Sequence, residues 1–304
     1  MKPIEIWPFK TLKVGSPFFI HNVKIYPVEG QLGHDGFTTL EEAIKENHIV
    51  LKDIYGVDQI SIHNSGGSPV FAIDGEELLG ARQNRIINVD AFIEPQREYV
   101  VPVTCIEQHR WSGSPIFSEG GFTITPSLRS TLAQTVKTSL EKKQGFKSNQ
   151  SLIWSQIDST LKATKISSMT SSFHDIYKSL NDVIEEFMEG FDTIENSIGF
   201  LAYVKDEFIG CDIFGSNSTY RKFEKKLLKS YVLDGYIRRY VKGPALPASP
   251  EEVMNLVGET TVKKHKSPTE GEVLIGGKEG LITKIFHLQG NLLHAAAFPV
   301  GTSS

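Results

Sequence analysis

Cysteine is almost missing from this chain: Cys105 and Cys211 are the two among 304 residues. They lie far apart and match neither a CxxC pair nor a zinc-finger spacing, which excludes a disulfide scaffold and a finger domain. Both fit a reducing compartment, as small buried hydrophobes. Also missing is any run of about 18 apolar residues, so no helical membrane span is expected. The opening stretch MKPIEIWPFK has acid and proline where a secretion signal needs unbroken apolar residues. A cytoplasmic location is the expectation. Charge of one sign is scarce too: 32 Lys and Arg stand against 36 Asp and Glu, a formal net charge of −4. That balance argues against a dedicated nucleic-acid binder, while leaving local patches open. The glycine-rich stretch Gly30 to Gly36, with His34 and Asp35, lacks the phosphate-loop spacing and reads as a connection. No HExxH or GxSxG pattern occurs, and Ser112 and Ser114 near His109 and Glu107 are too weak a basis for a serine hydrolase.

What is present is an ordinary globular composition, 39% hydrophobic and 22% charged, in a chain long enough to bury a large core. Without an internal repeat or a clean boundary, a single α+β domain over residues 1–304 is expected. It would comprise a strand-rich part (1–126), a helix-rich part with a central hairpin (127–258) and a strand-rich tail (259–304). The pattern predicts a largely antiparallel β-sheet core with several packed helices.

Short strands are expected over residues 4–28, punctuated by Pro8, Gly15-Ser16-Pro17 and Pro27. Thr39 and Glu42 have the spacing of a capping box opening a short helix. Helical apolar periodicity recurs over Ser127–Lys142, Ser151–Leu161, Phe173–Met188 and Ser218–Tyr240, with another short helix from Pro250. Ala163 to Ser172 is rich in Ser, Thr and Lys and reads as a mobile linker. A hairpin is expected around Lys205-Asp206-Glu207, and the tail should turn at Gly276-Gly277 and at Gln289-Gly290-Asn291.

The chemistry concentrates between Gly75 and Trp111. IINVDAFI and YVVPVTCI read as two strands joined by a short reversal at Glu94–Glu98. Around them gather Glu76, Glu77, Arg82, Gln83, Asn84, Arg85, Glu107, His109, Arg110 and Trp111, a mixture suited to a polar ligand. Glu77 and Glu107 are the candidate catalytic residues, as general acid and base if their environments push their pKa values apart. The competing reading is that Arg85 and Arg110 neutralise them at the sheet rim. Glu76, Gln83, Asn84, Arg85, Arg110 and Trp111 are the candidate ligand contacts: guanidinium forks for phosphate, amides for a base or ribose, an indole for an adenine. A tryptophan packed over a strand end is the competing reading of Trp111. Cys105, Glu107 and His109 alternate, so on one strand they would form half a metal site lacking a fourth ligand. The preferred expectation is no metal and no cofactor. Basic residues along the helix near 218–240 read as a solvated face.

GEELLGARQNR (75–85) and VPVTCIEQHRW (101–111) resemble the ARG and Rhodanese-Phosphatase-superfamily-associated protein domain family. TLEEAI (39–44), GFLAYVKDEFIGCDIFG (199–215) and LLKSY (227–231) fit the same pattern in the same order. The motif positions carried over are Glu76, Glu77, Gln83, Asn84, Arg85, Glu107, Arg110 and Trp111. His109 stands where the pattern has a small residue, so the resemblance gives it no role. The resemblance implies association with ADP-ribosylglycohydrolases and rhodanese-like phosphatases in prokaryotic conflict gene clusters. An enzyme acting on an ADP-ribose- or nucleotide-derived metabolite is therefore one expectation, and a non-catalytic ligand-sensing or partner-binding module is the other. The expected partner is a small ADP-ribose-like molecule, with no membrane and no nucleic acid; oligomeric state is left open.

Overall fold

Alternating burial along Val23–Glu29 marks the first full strand of the computed structural model, which describes residues 9–33, 36–54 and 56–301. The first five residues of the 4–28 stretch expected to hold short strands, and the His34–Asp35 tip of the glycine loop, lie outside that set. After a single 3₁₀ turn at Phe9–Thr11 come β1 (Lys13–Val14), β2 (Phe18–Ile20) and β3 (Val23–Glu29), then β4 (Thr38–Thr39) and α1 (Leu40–Lys45). There follow β5 (Ile49–Asp53), β6 (Gln59–Asn64), β7 (Val70–Ala72), β8 (Glu76–Gly80), β9 (Arg85–Ile87), β10 (Ala91–Ile93), β11 (Arg97–Cys105) and β12 (Phe117–Thr123). Helices α2 (Pro126–Glu141), α3 (Gln150–Thr164) and α4 (Phe173–Phe187) lead to the hairpin β13 (Ser197–Val204) and β14 (Glu207–Phe214). The chain ends with α5 (Asn217–Ile237), α6 (Pro250–Glu259), β15 (Val262–Lys266), β16 (Glu272–Lys278), β17 (Leu281–Leu288) and β18 (Asn291–Pro299).

The chain is α+β, with large antiparallel sheets. One sheet of nine strands runs β1-β3-β13-β14-β18-β17-β16-β15, with β2 also on β3; a six-stranded sheet runs β12-β8-β9-β11-β6-β5. Three short strands, β10-β7-β4, form a third, in which β4 and β7 are parallel. The largest apolar cluster joins the sheets through α2, α4 and α5, with Phe286, Phe71, Phe223 and Phe214 linked in that order by ring contacts. Burial of such faces supplies the main driving force for folding.

Local sequence accounts for many of these elements. The Thr39 hydroxyl accepts from the Glu42 amide at 3.1 Å while Glu42 accepts from the Thr39 amide at 2.7 Å, closing the capping box of α1. Thr39→Ala removes one half of that exchange and is expected to cost about 1 kcal/mol. Urea unfolding would show it as a lower midpoint with an unchanged slope; an unchanged midpoint would contradict the role given to the cap. Lys205-Asp206, Glu279-Gly280 and Gln289-Gly290 all have positive φ at both positions, the two-residue turn that matches strand twist. The turn expected at Gly276-Gly277 therefore belongs three residues later. Both glycines lie within β16, and a Cβ on Gly276 would come 2.1 Å from the Thr261 carbonyl.

Two further expectations are corrected. The run from Ile86 to Ile93 is not one strand of a hairpin: β9 pairs with β11, whereas β10 leaves to pair with β7 in another sheet. The break falls at Asn88–Asp90, whose side chains bond elsewhere: Asn88 donates to the Phe146 carbonyl at 3.0 Å, and Asp90 accepts from the Asp74 amide at 2.8 Å. The Ser/Thr-rich linker is tied down. The amides of Gln108 and His109 donate to the Thr170 carbonyl at 2.9 and 3.1 Å, and Ser168 donates to Asp175 at 2.5 Å. No helix among the described residues is long and apolar enough to cross a membrane.

Candidate functional site

The loop between β8 and β9 wraps around Glu107, just beyond the end of β11. One Glu107 oxygen accepts from the Asn84 amide at 2.9 Å and the other from the Thr170 hydroxyl at 2.9 Å. Arg110 donates to both, from Nε at 2.9 Å and Nη2 at 2.7 Å. The same guanidinium also reaches the carbonyls of Ala81, Ser112 and Gly80 and the Asn84 side-chain oxygen, at 2.7 to 3.1 Å. Burial pushes the Glu107 carboxyl up, but Arg110, the Asn84 amide and Thr170 outweigh it and the net shift is down. Gln83 donates to the carbonyls of Glu107 and Gln108 at 2.9 and 3.1 Å, leaving its own buried oxygen without a partner. Four of the motif residues thus bind one another and the backbone of their own loop.

Arg85 is fully buried. It donates to Asp53 at 3.0 Å and to the Gln59 carbonyl at 3.1 Å, and its guanidinium lies 5.4 Å over the Phe117 ring. Arg82 shares Asp53 from the other side at 2.6 Å. Trp111 is 56% exposed and stacks on no other ring in the structure described. Cys105, Glu107 and His109 do not share a strand face, because β11 ends at Cys105 and Glu107 is held in the cage just described. The Cys105 thiol instead contacts the Val57 carbonyl at 3.6 Å.

Glu76 and Glu77 stand side by side on β8 and point to different partners. Glu76 accepts from Lys226 of α5 at 2.9 Å and from the Ile73 amide at 2.8 Å. Lys226 also pairs with Glu41 of α1, Lys222 with Glu42 at 3.0 Å, and Lys229 with Glu185, so this helix face is matched by acids rather than simply solvated. Glu77 faces α4 and lies 3.0 Å from Nδ1 of His174. Its side chain is fully buried, whereas that of His174 is 25% exposed. Burial raises the Glu77 carboxyl to about 7; His174 opposes the rise, and the charges of Glu107 and Asp175 add to it. The hydrogen bond to Glu77 in turn raises the His174 imidazole against the effect of its own burial.

The backbone of β12 makes room for this pair. A Cβ on Gly120 would lie 2.1 Å from a Glu77 oxygen, and the register of β12 on β8 shifts between Glu119 and Thr123. Phe122, within the shifted stretch, flanks the His174 ring and stacks on Tyr177 at 4.2 Å. Nε2 of His174 makes no hydrogen bond among the described residues, which leaves it as the outward-facing nitrogen. Lys178, exposed one helical turn further on, adds positive charge beside it. Glu107 and Glu77 are in one neighbourhood: Glu107 bridges the backbone of Ser172, two residues before His174. His174 lies 97 residues from Glu77 in sequence and has no motif spacing of its own. The one local sign was its place in the first turn of a helix capped by Ser172.

A second polar cluster, unforeseen from the sequence, lies deep between the sheets. Arg129 of α2 donates to Asp74 at 3.0 Å and to Asp212 of β14 at 2.8 Å, all three being fully buried. Lys284 of β17 also pairs with Asp74, and Tyr231 of α5 donates to Asp212 at 2.7 Å. His294 of β18 lies between Asp90 at 2.8 Å and Asp212 at 2.9 Å. One ligand atom from each of Asp74, Asp90 and His294 falls within 4.8 Å of the others. A metal is not what these groups fit, since both imidazole nitrogens face carboxylates, and Arg129 and Lys284 already neutralise Asp74. Three acids balanced by three cations make a fastening between elements distant in sequence.

Searches of the curated proteins and of the solved structures return no match to this chain. The family model described as ARG and Rhodanese-Phosphatase-superfamily-associated Protein domain matches residues 11–298, almost the whole length, and so takes in both polar clusters. The chain belongs to that family.

Proposed function

We propose that the chain is an enzyme of acid–base chemistry acting on a nucleotide-derived metabolite of the ADP-ribose kind. In this reading His174 exchanges the proton at its outward Nε2, and Glu77 fixes the tautomer and holds the charge behind it. The observation that carries the reading is the Glu77–His174 pair itself: a sealed carboxylate, raised to about 7, hydrogen-bonded to an imidazole that reaches solvent. Burial at the carboxylate end and exposure at the other nitrogen leave Nε2 as the end at which protons are exchanged, and an imidazole raised by a buried carboxylate behind it suits general acid–base work. Lys178 offers charge to an anionic group beside the imidazole. The choice of ADP-ribose rests on the association with ADP-ribosylglycohydrolases that the family resemblance implies, and on no contact in the site. Glu107 and Arg110 support the site by fixing the loop that meets Thr170, and Arg85 holds the sheet interior; a phosphate clamp at Arg85 would first have to break its bond to Asp53.

A second reading, a non-catalytic ligand-sensing or partner-binding module, is favoured by the mutual saturation of Glu107, Arg110 and Asn84. Thermal shift against ADP-ribose, NAD and cyclic nucleotides, followed by product analysis on each hit, separates the two. A ligand at 100 times its dissociation constant stabilises by about 2.7 kcal/mol, well within detection. In the enzymatic reading, Glu77→Gln and His174→Gln each lower turnover at least about 100-fold while the ligand still raises Tm. Binding without product in the wild type would favour the module, and turnover untouched in His174→Gln would remove the proposed mechanism.

A further inference from the structure

At the far end of α4, about 20 Å along the helix from His174, the surface changes character. A trough of about 520 Å³ lies between β2 and the loop after α4. Its floor is aromatic: Phe18 stacks on Phe191 at 6.1 Å and His21 on Phe187 at 3.8 Å. Phe19 at its lip is 65% exposed, continuing the aromatic surface of the floor out to solvent. The rim is acidic. Glu189, Asp192 and Glu195 are all exposed and make no ion pair among the described residues, and no Lys or Arg lines this trough.

β2 is also an edge. It pairs with β3 on one side, through Phe18–Ile25, Phe19–Lys24 and Ile20–Val23, and with no strand on the other among the described residues. This short edge strand follows Pro17 and reads Phe-Phe-Ile, with no charged side chain of its own to discourage pairing. Open backbone groups, an aromatic floor and an unpaired acidic rim are complementary to one kind of occupant.

We propose that the trough beside β2 is a docking site for an extended basic segment of a partner protein that carries bulky apolar side chains. Its apolar residues fill the aromatic floor, its lysines or arginines meet Glu189, Asp192 and Glu195, and its backbone adds to the free side of β2. The site is separate from the Glu77–His174 pair and does not depend on the function assigned there.

The test is fluorescence anisotropy with the full chain and a labelled peptide alternating lysine with phenylalanine and valine. Saturable binding that weakens with salt is expected, with no binding of the same peptide carrying glutamate for lysine. Phe19→Ser and the pair Asp192→Lys with Glu195→Lys should each weaken binding by roughly tenfold or more. Because these side chains are exposed, Tm should stay at the wild-type value, which separates lost docking from lost folding. N-methylation of alternate peptide bonds should abolish binding if the segment adds as a strand. Equal binding of the acidic peptide, indifference to both sets of substitutions, or full binding of the methylated peptide would overturn the proposal. So would a concentration-dependent dimer abolished by Phe19→Ser, which would assign the trough to a second copy.

Discussion

Arg129→Met should destabilise the fold by about 3–5 kcal/mol, the cost of removing one partner from a buried ion cluster while leaving the others charged. Methionine has the length to occupy the position but none of the donors. Asp74 would keep only Lys284, and Asp212 would keep Tyr231 and His294. The arginine also lies 4.8 Å over the Phe298 ring, a cation–π contact that the substitution removes. Chemical unfolding measures the loss directly, and a change under about 1 kcal/mol would mean that the cluster is not the fastening described here. If Arg129→Met does not fold, the double variant with Asp74→Asn serves as the check. Removing one acid along with its cation restores the balance, so the double variant should be more stable than Arg129→Met alone, with a coupling of up to about 3 kcal/mol.

That cluster shows where sequence reading ends. The capping box of α1, the two-residue turns and the helix spans are set by residues within a few positions of one another, and the amino-acid order displays them. Glu107 and Arg110 are three residues apart, so their pairing was legible as the rim alternative to catalysis. Asp74 and Arg129 are 55 residues apart, and Arg129 and Asp212 are 83 apart. Nothing in a helix face reading Leu128, Leu132, Val136 predicts that the intervening arginine turns inward, because its burial is decided by two acids on other elements. The same holds for His174, an unremarkable residue until β8 supplies Glu77. β10 is a case where local pattern misleads: a run of eight residues rich in β-branched and aromatic side chains looks like one strand, but Asn88 and Asp90 have distant partners that bend the chain into a different sheet. Side chains whose partners are sequence-remote outweigh strand propensity there, since a buried polar group left unbonded costs more than a shortened strand.

Alkaline pH should weaken the fold through His294. Burial alone would lower this imidazole, but Asp90 and Asp212 flank it and raise it from the ordinary 6.5 to about 9. The folded chain therefore binds this proton more tightly than the unfolded chain does. Its contribution to stability is complete below pH 6.5 and declines as pH rises through 9, where folded and unfolded forms both hold a neutral ring. The shift corresponds to a loss on the order of 3 kcal/mol across that window. Every group facing the ring matters to the sign: Asp90 and Asp212 hold the proton, while Arg129 opposes it through the shared Asp212. Unfolding measured at intervals from pH 6 to 10 should show the decline in the wild type. In His294→Gln the starting stability should be lower, since Asp90 and Asp212 lose their shared cation, and the part of the slope between 6.5 and 9 should flatten. Because both are raised, Glu77 adds a slope of the same sign between its ordinary 4.5 and about 7, and His174 one that begins at 6.5, so comparison with Glu77→Gln assigns the part of the curve below 7. A wild-type stability that is level or rising between pH 7 and 9 would show that His294 is neutral in the fold, and the balance of three acids against three cations would have to be redrawn.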